Sequence, residues 1–114
     1  MAFPSTYNFT YYRGDTAQFV ARPKNSSDGS NFNLVGFSGL FTIANQRGSL
    51  GTQYAANAVV NSTTGIVTCT ISASVGRSLA PGEYVYDVQI DNGIQVYTLL
   101  TGSITVIDDV TGAV

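Results

Sequence analysis

The stretch Glu83-Tyr84-Val85-Tyr86-Asp87-Val88-Gln89-Ile90-Asp91-Asn92-Gly93 decides the fold. Its side chains alternate with period two. Tyr84, Tyr86, Val88 and Ile90 fall on one face, and Glu83, Val85, Asp87 and Gln89 fall on the other, which is the pattern of a half-buried β-strand. Asn92-Gly93 is the pair selected by tight hairpin turns that need positive φ. Ile94 to Leu100 therefore reads as the antiparallel return strand. Gly102, before Ile104-Thr105-Val106, reads as a bulge or bend leading into a last strand.

The same alternation extends upstream. In Ile66 to Ser72, Val67, Cys69 and Ile71 point one way and Thr68 and Thr70 the other. Leu40 to Ala44 is a short strand with Phe41 and Ile43 on the core side, and Thr16 to Arg22 is another with Phe19 and Ala21 inside. Tyr7 to Tyr12 makes a strand just before Arg13-Gly14. Ala58-Val59-Val60 pairs with the Ile66 strand across Asn61 to Gly65. Lys24 to Asn33 and Ala44 to Thr52 are rich in turn residues. Ser72 to Leu79 holds one helical turn capped by Ser72, ended by Gly76 and then by Pro81-Gly82. About seven short strands with turns between and no real helix predict an all-β fold, an antiparallel β-sandwich. The expected organisation is one domain over residues 1–114 with a short N-terminal arm, 1–6.

A chain of 114 residues suits one domain. Charged residues are 11%, against roughly 25% in an ordinary soluble domain. Thirteen Thr, eleven Ser and eight Asn must therefore cover the surface. With net charge −2 and five scattered basic residues, no basic stripe is available for nucleic acid. The absence of histidine excludes Ser-His-Asp and Cys-His nucleophilic arrangements, His-ligated zinc and the two-His iron triad. The single Cys69 excludes an intramolecular disulfide and a cysteine cluster, and its inward position reads as a small buried hydrophobe. No stretch is long and apolar enough to span a membrane. Met1-Ala2-Phe3-Pro4 has neither the basic start nor the apolar core of a secretory signal, so synthesis in a cytoplasm is expected.

The remaining candidate chemistry is weak. Arg13-Gly14-Asp15 spells an adhesion tripeptide but reads as a turn, with Gly14 permitting it and Asp15 bonding the local backbone. Three sequons, at Asn8, Asn25 and Asn61, are what an Asn/Ser/Thr-rich chain produces by chance. Glu83 and Asp87 share a strand face about 13 Å apart, too far for a glycosidase pair. Asp108-Asp109 lacks the spaced acidic loop of a calcium site. Gly36-Phe37-Ser38-Gly39 is not a nucleophile elbow, and no glycine-rich phosphate loop is present. The expectation is no catalytic residue, no cofactor, no metal and no enzymatic activity.

A binding or structural role remains. Tyr11 and Tyr12 are consecutive and point to opposite sides of a strand, which leaves one of them for a partner. The arm holding Phe3 and Pro4 is either a docking element or a frayed end. Phe3, Pro4, Tyr11 and Tyr12 are thus the candidate partner-docking residues. A sparsely charged surface suits packing against neighbours, because few charges must be desolvated.

Several segments together resemble a known family. Tyr12-Arg13-Gly14-Asp15-Thr16 resembles the opening of the immunoglobulin-like module at the start of phage baseplate upper proteins. Leu79-Ala80-Pro81-Gly82-Glu83-Tyr84-Val85-Tyr86-Asp87-Val88-Gln89-Ile90 is similar to that module's Pro-Gly-x-Tyr-x-Tyr-Asp strand. Thr98 to Val106 is similar to its closing strand, and Asp109-Val110-Thr111 to its exit. The resemblance covers roughly residues 8 to 111. It implies an immunoglobulin-like antiparallel β-sandwich serving as a non-enzymatic virion structural protein, an adaptor or accessory module of the tail or baseplate. The implied partners are other virion structural proteins, with the chain in multiple copies or as a homo-oligomer and with no nucleic acid or membrane. The implied location is the virion, after synthesis in the host cytoplasm. In that family the module anchors a longer fibre or receptor-binding region, which has no counterpart in these 114 residues; the anchoring or decorating role is what remains. The alternative is a capsid decoration (cement) protein on the phage head, and a third reading is a carbohydrate-binding β-sandwich, against which the lack of tryptophan counts mildly.

Overall fold

A computed structural model describes residues 5–24, 29–30, 32–46 and 53–108. The elements run β1 (Ser5–Thr6), β2 (Phe9–Tyr12), β3 (Ala17–Ala21), β4 (Ser38–Ala44), β5 (Gln53–Asn61), β6 (Ile66–Ile71), α1 (Ala73–Arg77), β7 (Gly82–Asp91) and β8 (Val96–Ile107). The fold is all-β, as the alternation predicts. The strand order is β1-β8-β7-β4-β5-β6-β3, and β2 also pairs with β8.

Two pairings shape this sheet. β5 is shared: its first residues pair with β4 (Phe41↔Ala56 to Ala44↔Gln53), and Asn57 to Asn61 pair with β6. The sheet curls there. The curl brings its two ends face to face, with the Phe9 ring on β2 lying 5.5 Å from the Phe19 ring on β3. The other pairing is parallel. β1 and β2 both run alongside β8, whereas every other pairing is antiparallel.

The core is the set of inward residues read from the sequence. Phe41 and Ile43 on β4, Val67, Cys69 and Ile71 on β6, and Tyr84, Tyr86, Val88 and Ile90 on β7 are all buried. Leu34 and Leu79 from the connecting segments, Tyr11 on β2, and Leu99, Leu100, Ile104 and Val106 on β8 belong to it as well. Phe19 and Ala21 are half-buried on the inner face of β3.

The structure corrects five local expectations. Ser5-Thr6, read as part of an N-terminal arm, is a strand on Leu100-Thr101. Asn8 interrupts the strand that follows: its side-chain oxygen accepts from Ser103 N at 2.9 Å, and the register resumes unchanged at Phe9↔Ile104. The described residues thus hold eight strands in place of about seven.

The hairpin does not close at Asn92-Gly93. Asp91 pairs with Val96, and only Gly93 has positive φ, at 91°, so the two-residue turn that needs positive φ twice cannot form. Ile94 and Gln95 lie in a four-residue loop, and the return strand starts at Val96.

Gly102 marks no bend, because β8 runs unbroken to Ile107. The irregularity falls at Leu99, where Val88 faces Leu100 but Gln89 faces Thr98. The bulge turns both Leu99 and Leu100 inward, and both are buried. Gly102 is instead a site of close approach, where a Cβ would overlap the Tyr7 carbonyl oxygen. Gly76 does not end the helical turn either. Ser72 caps it as expected, accepting from Val75 N at 3.3 Å, but Gly76 sits inside it, and Ser78 is the C-cap.

Candidate docking surfaces

The turn after β2 is built around Arg13. Its backbone N–H donates to Ile107 O at 2.8 Å, and Asp15 N donates to Tyr12 O at 3.1 Å. Gly14, with φ of 89°, makes the reversal. The guanidinium is fully engaged. Nε donates to Leu79 O at 3.0 Å, Nη2 donates to Arg77 O at 2.9 Å, and Nη1 lies 3.7 Å from the Asp108 carboxylate. Arg13-Gly14-Asp15 is therefore a clasp between the N-terminal strand and the segment after α1. It is not an adhesive loop tip.

Tyr11 and Tyr12 point to opposite sides, as their adjacency requires. Tyr11 is 2% exposed and Tyr12 is 54% exposed. Tyr11 is therefore withdrawn as a docking residue: its ring packs under Gly76 and its hydroxyl donates to Asp15 O. Burial, and then the nearby Asp15 carboxylate, hold its phenol above the usual range. Tyr12 faces outward at the end of β2, beside the partly exposed Ile107 that pairs with it. Phe3 and Pro4 lie outside the described residues.

Cys69 is fully buried, and burial alone pushes its thiol up to about 12, so it is inert packing. Glu83 accepts from the Thr105 hydroxyl at 2.9 Å, and Asp108 pairs with Arg13. Among the described residues no three His, Cys, Asp or Glu side chains are grouped as a metal site. Two of the sequon asparagines are bound into the fold. Asn8 fills the ladder at Ser103, and Asn61 Oδ1 accepts from Thr63 N and Thr64 N; Asn25 lies outside the described residues. The partly exposed Tyr7 stacks on Phe9 at 5.3 Å and so lies on the side opposite Tyr12; the two do not form one aromatic platform.

The outer face of β3, β6 and β5 carries no charge. Val20 faces Thr68, which faces Val59; Gln18 faces Thr70, which faces Asn57. Gln18 Nε2 donates to Thr70 Oγ1 at 3.3 Å. This is a surface of amides and hydroxyls with Val20, Val59 and Ile66 among them.

Comparison with known proteins bears on the fold. No family model matches the chain, and no curated protein matches it. Among solved structures it is similar to Listeria monocytogenes InlP, with 19% identity and a TM-score of 0.52 over 89% of this chain and 26% of that one. It is also similar to a family 123 glycoside hydrolase from Clostridium perfringens, with 15% identity and a TM-score of 0.39 over 91% and 23%. The chain thus spans about a quarter of each. The InlP likeness speaks to the fold alone, and the second carries no argument.

Two surface features were not foreseen. Ser5, Val20 to Lys24, Leu99 and Leu100 line a slot of about 390 Å³. It opens where the two ends of the curled sheet meet, so no contiguous stretch of sequence signals it. Ile94, read as the start of a strand, stands 92% exposed at the tip of the β7–β8 loop. The cue was available: Ile94 follows Asn-Gly directly, and a longer loop would free it from pairing.

Proposed function

We propose that the chain is a non-enzymatic immunoglobulin-type module that acts as an adaptor or accessory component of a phage tail or baseplate. Connectivity supports the sandwich type. β3, β6 and the second half of β5 form one group of strands. The first half of β5 joins β4, β7 and β8 in the other, with β5 crossing between them. This partition parallels the two-sheet arrangement of immunoglobulin domains.

One observation carries the phage reading. Of the segments that resemble the baseplate module, Leu79 to Ile90 from Gly82 onward and Thr98 to Val106 throughout lie on the β7–β8 ribbon, where Tyr84 and Tyr86 anchor the core. The uncharged face of β3, β6 and β5 favours close packing against neighbours, because it has no ionised group to desolvate. Such a face suits a component held among other virion proteins in several copies.

The test is to separate purified virions into heads and tails and blot each fraction for this chain. Signal with the tails is the expected result. Signal only with the heads makes it a capsid decoration protein, and absence from both overturns the virion role.

A further inference from the structure

The slot and the β7–β8 loop are complementary to each other. The loop is a rigid knob. Asp91 Oδ1 accepts from Gly93 N at 2.6 Å, Asn92 Oδ1 accepts from Ile94 N at 3.0 Å and from Gln95 N at 2.7 Å, and Asn92 N donates to Gln95 O at 3.2 Å. These bonds hold Ile94 out in solvent, with Val96 beside it 56% exposed. A β-branched side chain on a fixed loop has little freedom left to lose on docking.

The slot is the matching hole. Val20, Ala21, Pro23 and Leu99 give it apolar walls, and its roughly 390 Å³ holds one branched aliphatic side chain with room for the loop behind it. Arg22 and Lys24 line it as well and are exposed. The knob carries the opposite charge, Asp91, at its base.

We infer that Ile94 of one copy enters the slot of a second copy, with Asp91 facing the second copy's Arg22. The knob and the slot lie close together on one molecule: Val96 begins β8, and Leu99 follows three residues later, about 10 Å along the strand. The inferred arrangement of the two copies is two-fold, which engages both knobs at once and closes a dimer. Each contact is small beside the roughly 800 Å² per partner of a standard interface, so the pair is weak alone and is strengthened by multivalency where many copies are held together. The inference is independent of the virion reading, since it concerns the purified chain.

The experiment is sedimentation equilibrium of the full chain at concentrations up to about 1 mM. Ile94→Asp spoils the knob, and Ser5→Trp fills the slot from an exposed position; circular dichroism confirms that both variants stay folded. The wild type should show a monomer–dimer equilibrium, and each variant should weaken it at least tenfold, because a homodimer of either variant loses both of its buried aliphatic contacts. An equimolar mixture of the two variants should associate more tightly than either alone, because one intact knob then meets one intact slot. A wild type that is monomeric throughout, a dimer indifferent to both variants, or a mixture with no gain would overturn the inference.

Discussion

The hydroxyl of Tyr86, on β7, donates to the backbone carbonyl of Tyr7, which joins the centre of the sheet to a strand 79 residues away in sequence. Tyr7 in turn donates its N–H to Thr101 O at 3.0 Å. The N-terminal strand is therefore held from two directions at its one irregular point, between β1 and β2.

Tyr86→Phe keeps the ring packing and removes only this bond. A partly buried carbonyl left without its donor costs about 1–2 kcal/mol. The urea midpoint should fall with an unchanged slope, and the Tyr7 amide should exchange faster than amides of the β4–β7 ladder.

Gly76→Ala separates helix propensity from packing. On propensity alone alanine would stabilise α1 by up to about 1 kcal/mol. The new Cβ would overlap the Tyr11 hydroxyl, so the clash wins, and a net loss of about 1–3 kcal/mol is expected. In a Tyr11→Phe background, where the hydroxyl is gone, the same substitution should cost less. Equal costs in the two backgrounds would remove Tyr11 as the cause.

The clasp at Arg13 is expected to be asymmetric. Arg13→Ala abandons the Leu79 and Arg77 carbonyls and should cost about 1–3 kcal/mol, the range for hydrogen bonds to charged groups. Asp108 is 60% exposed in its side chain, so Asp108→Asn should cost no more than about 0.5 kcal/mol. Thermal melts of the two variants check the ordering, which a dominant ion pair would reverse.

Stability should fall with rising pH on the alkaline side. Burial is the first cause that raises the Tyr11, Tyr84 and Tyr86 phenols above 10.0. It also raises the Cys69 thiol from 9.0 to about 12. Groups with raised folded values stabilise the native state fully below their unfolded values, and that stability is lost as pH climbs toward the folded ones. With no histidine to titrate, the urea midpoint should be flat from about pH 6 to 8. It should fall above about pH 9–10 as the unfolded chain gives up protons that the native state keeps. A midpoint that rises over that alkaline range would contradict the burial of these groups.

What was legible in the sequence was what period two reports. Tyr84, Tyr86, Val88 and Ile90 read as core, as do Val67, Cys69 and Ile71, because alternation states directly which side of a strand faces inward. The parallel seat of β1 and β2 on β8 had no local signal, since its partners lie at opposite ends of the chain. Gly76 and Gly102 were visible as glycines, but their local readings, a helix end and a bend, were displaced by a tertiary cause: the Tyr11 ring and the Tyr7 backbone pass where a side chain would be. Tyr12 is the exposed member of the pair, and Tyr11 belongs to the core. Neither could be chosen from sequence, because adjacency fixes only that they point apart.

The proposed role in the virion is tested most directly by immunogold labelling of intact phage particles with an antibody against this chain. Gold at the tail or baseplate in several copies per particle is the predicted result. Particles that remain unlabelled, although the antibody recognises the purified protein, would contradict it.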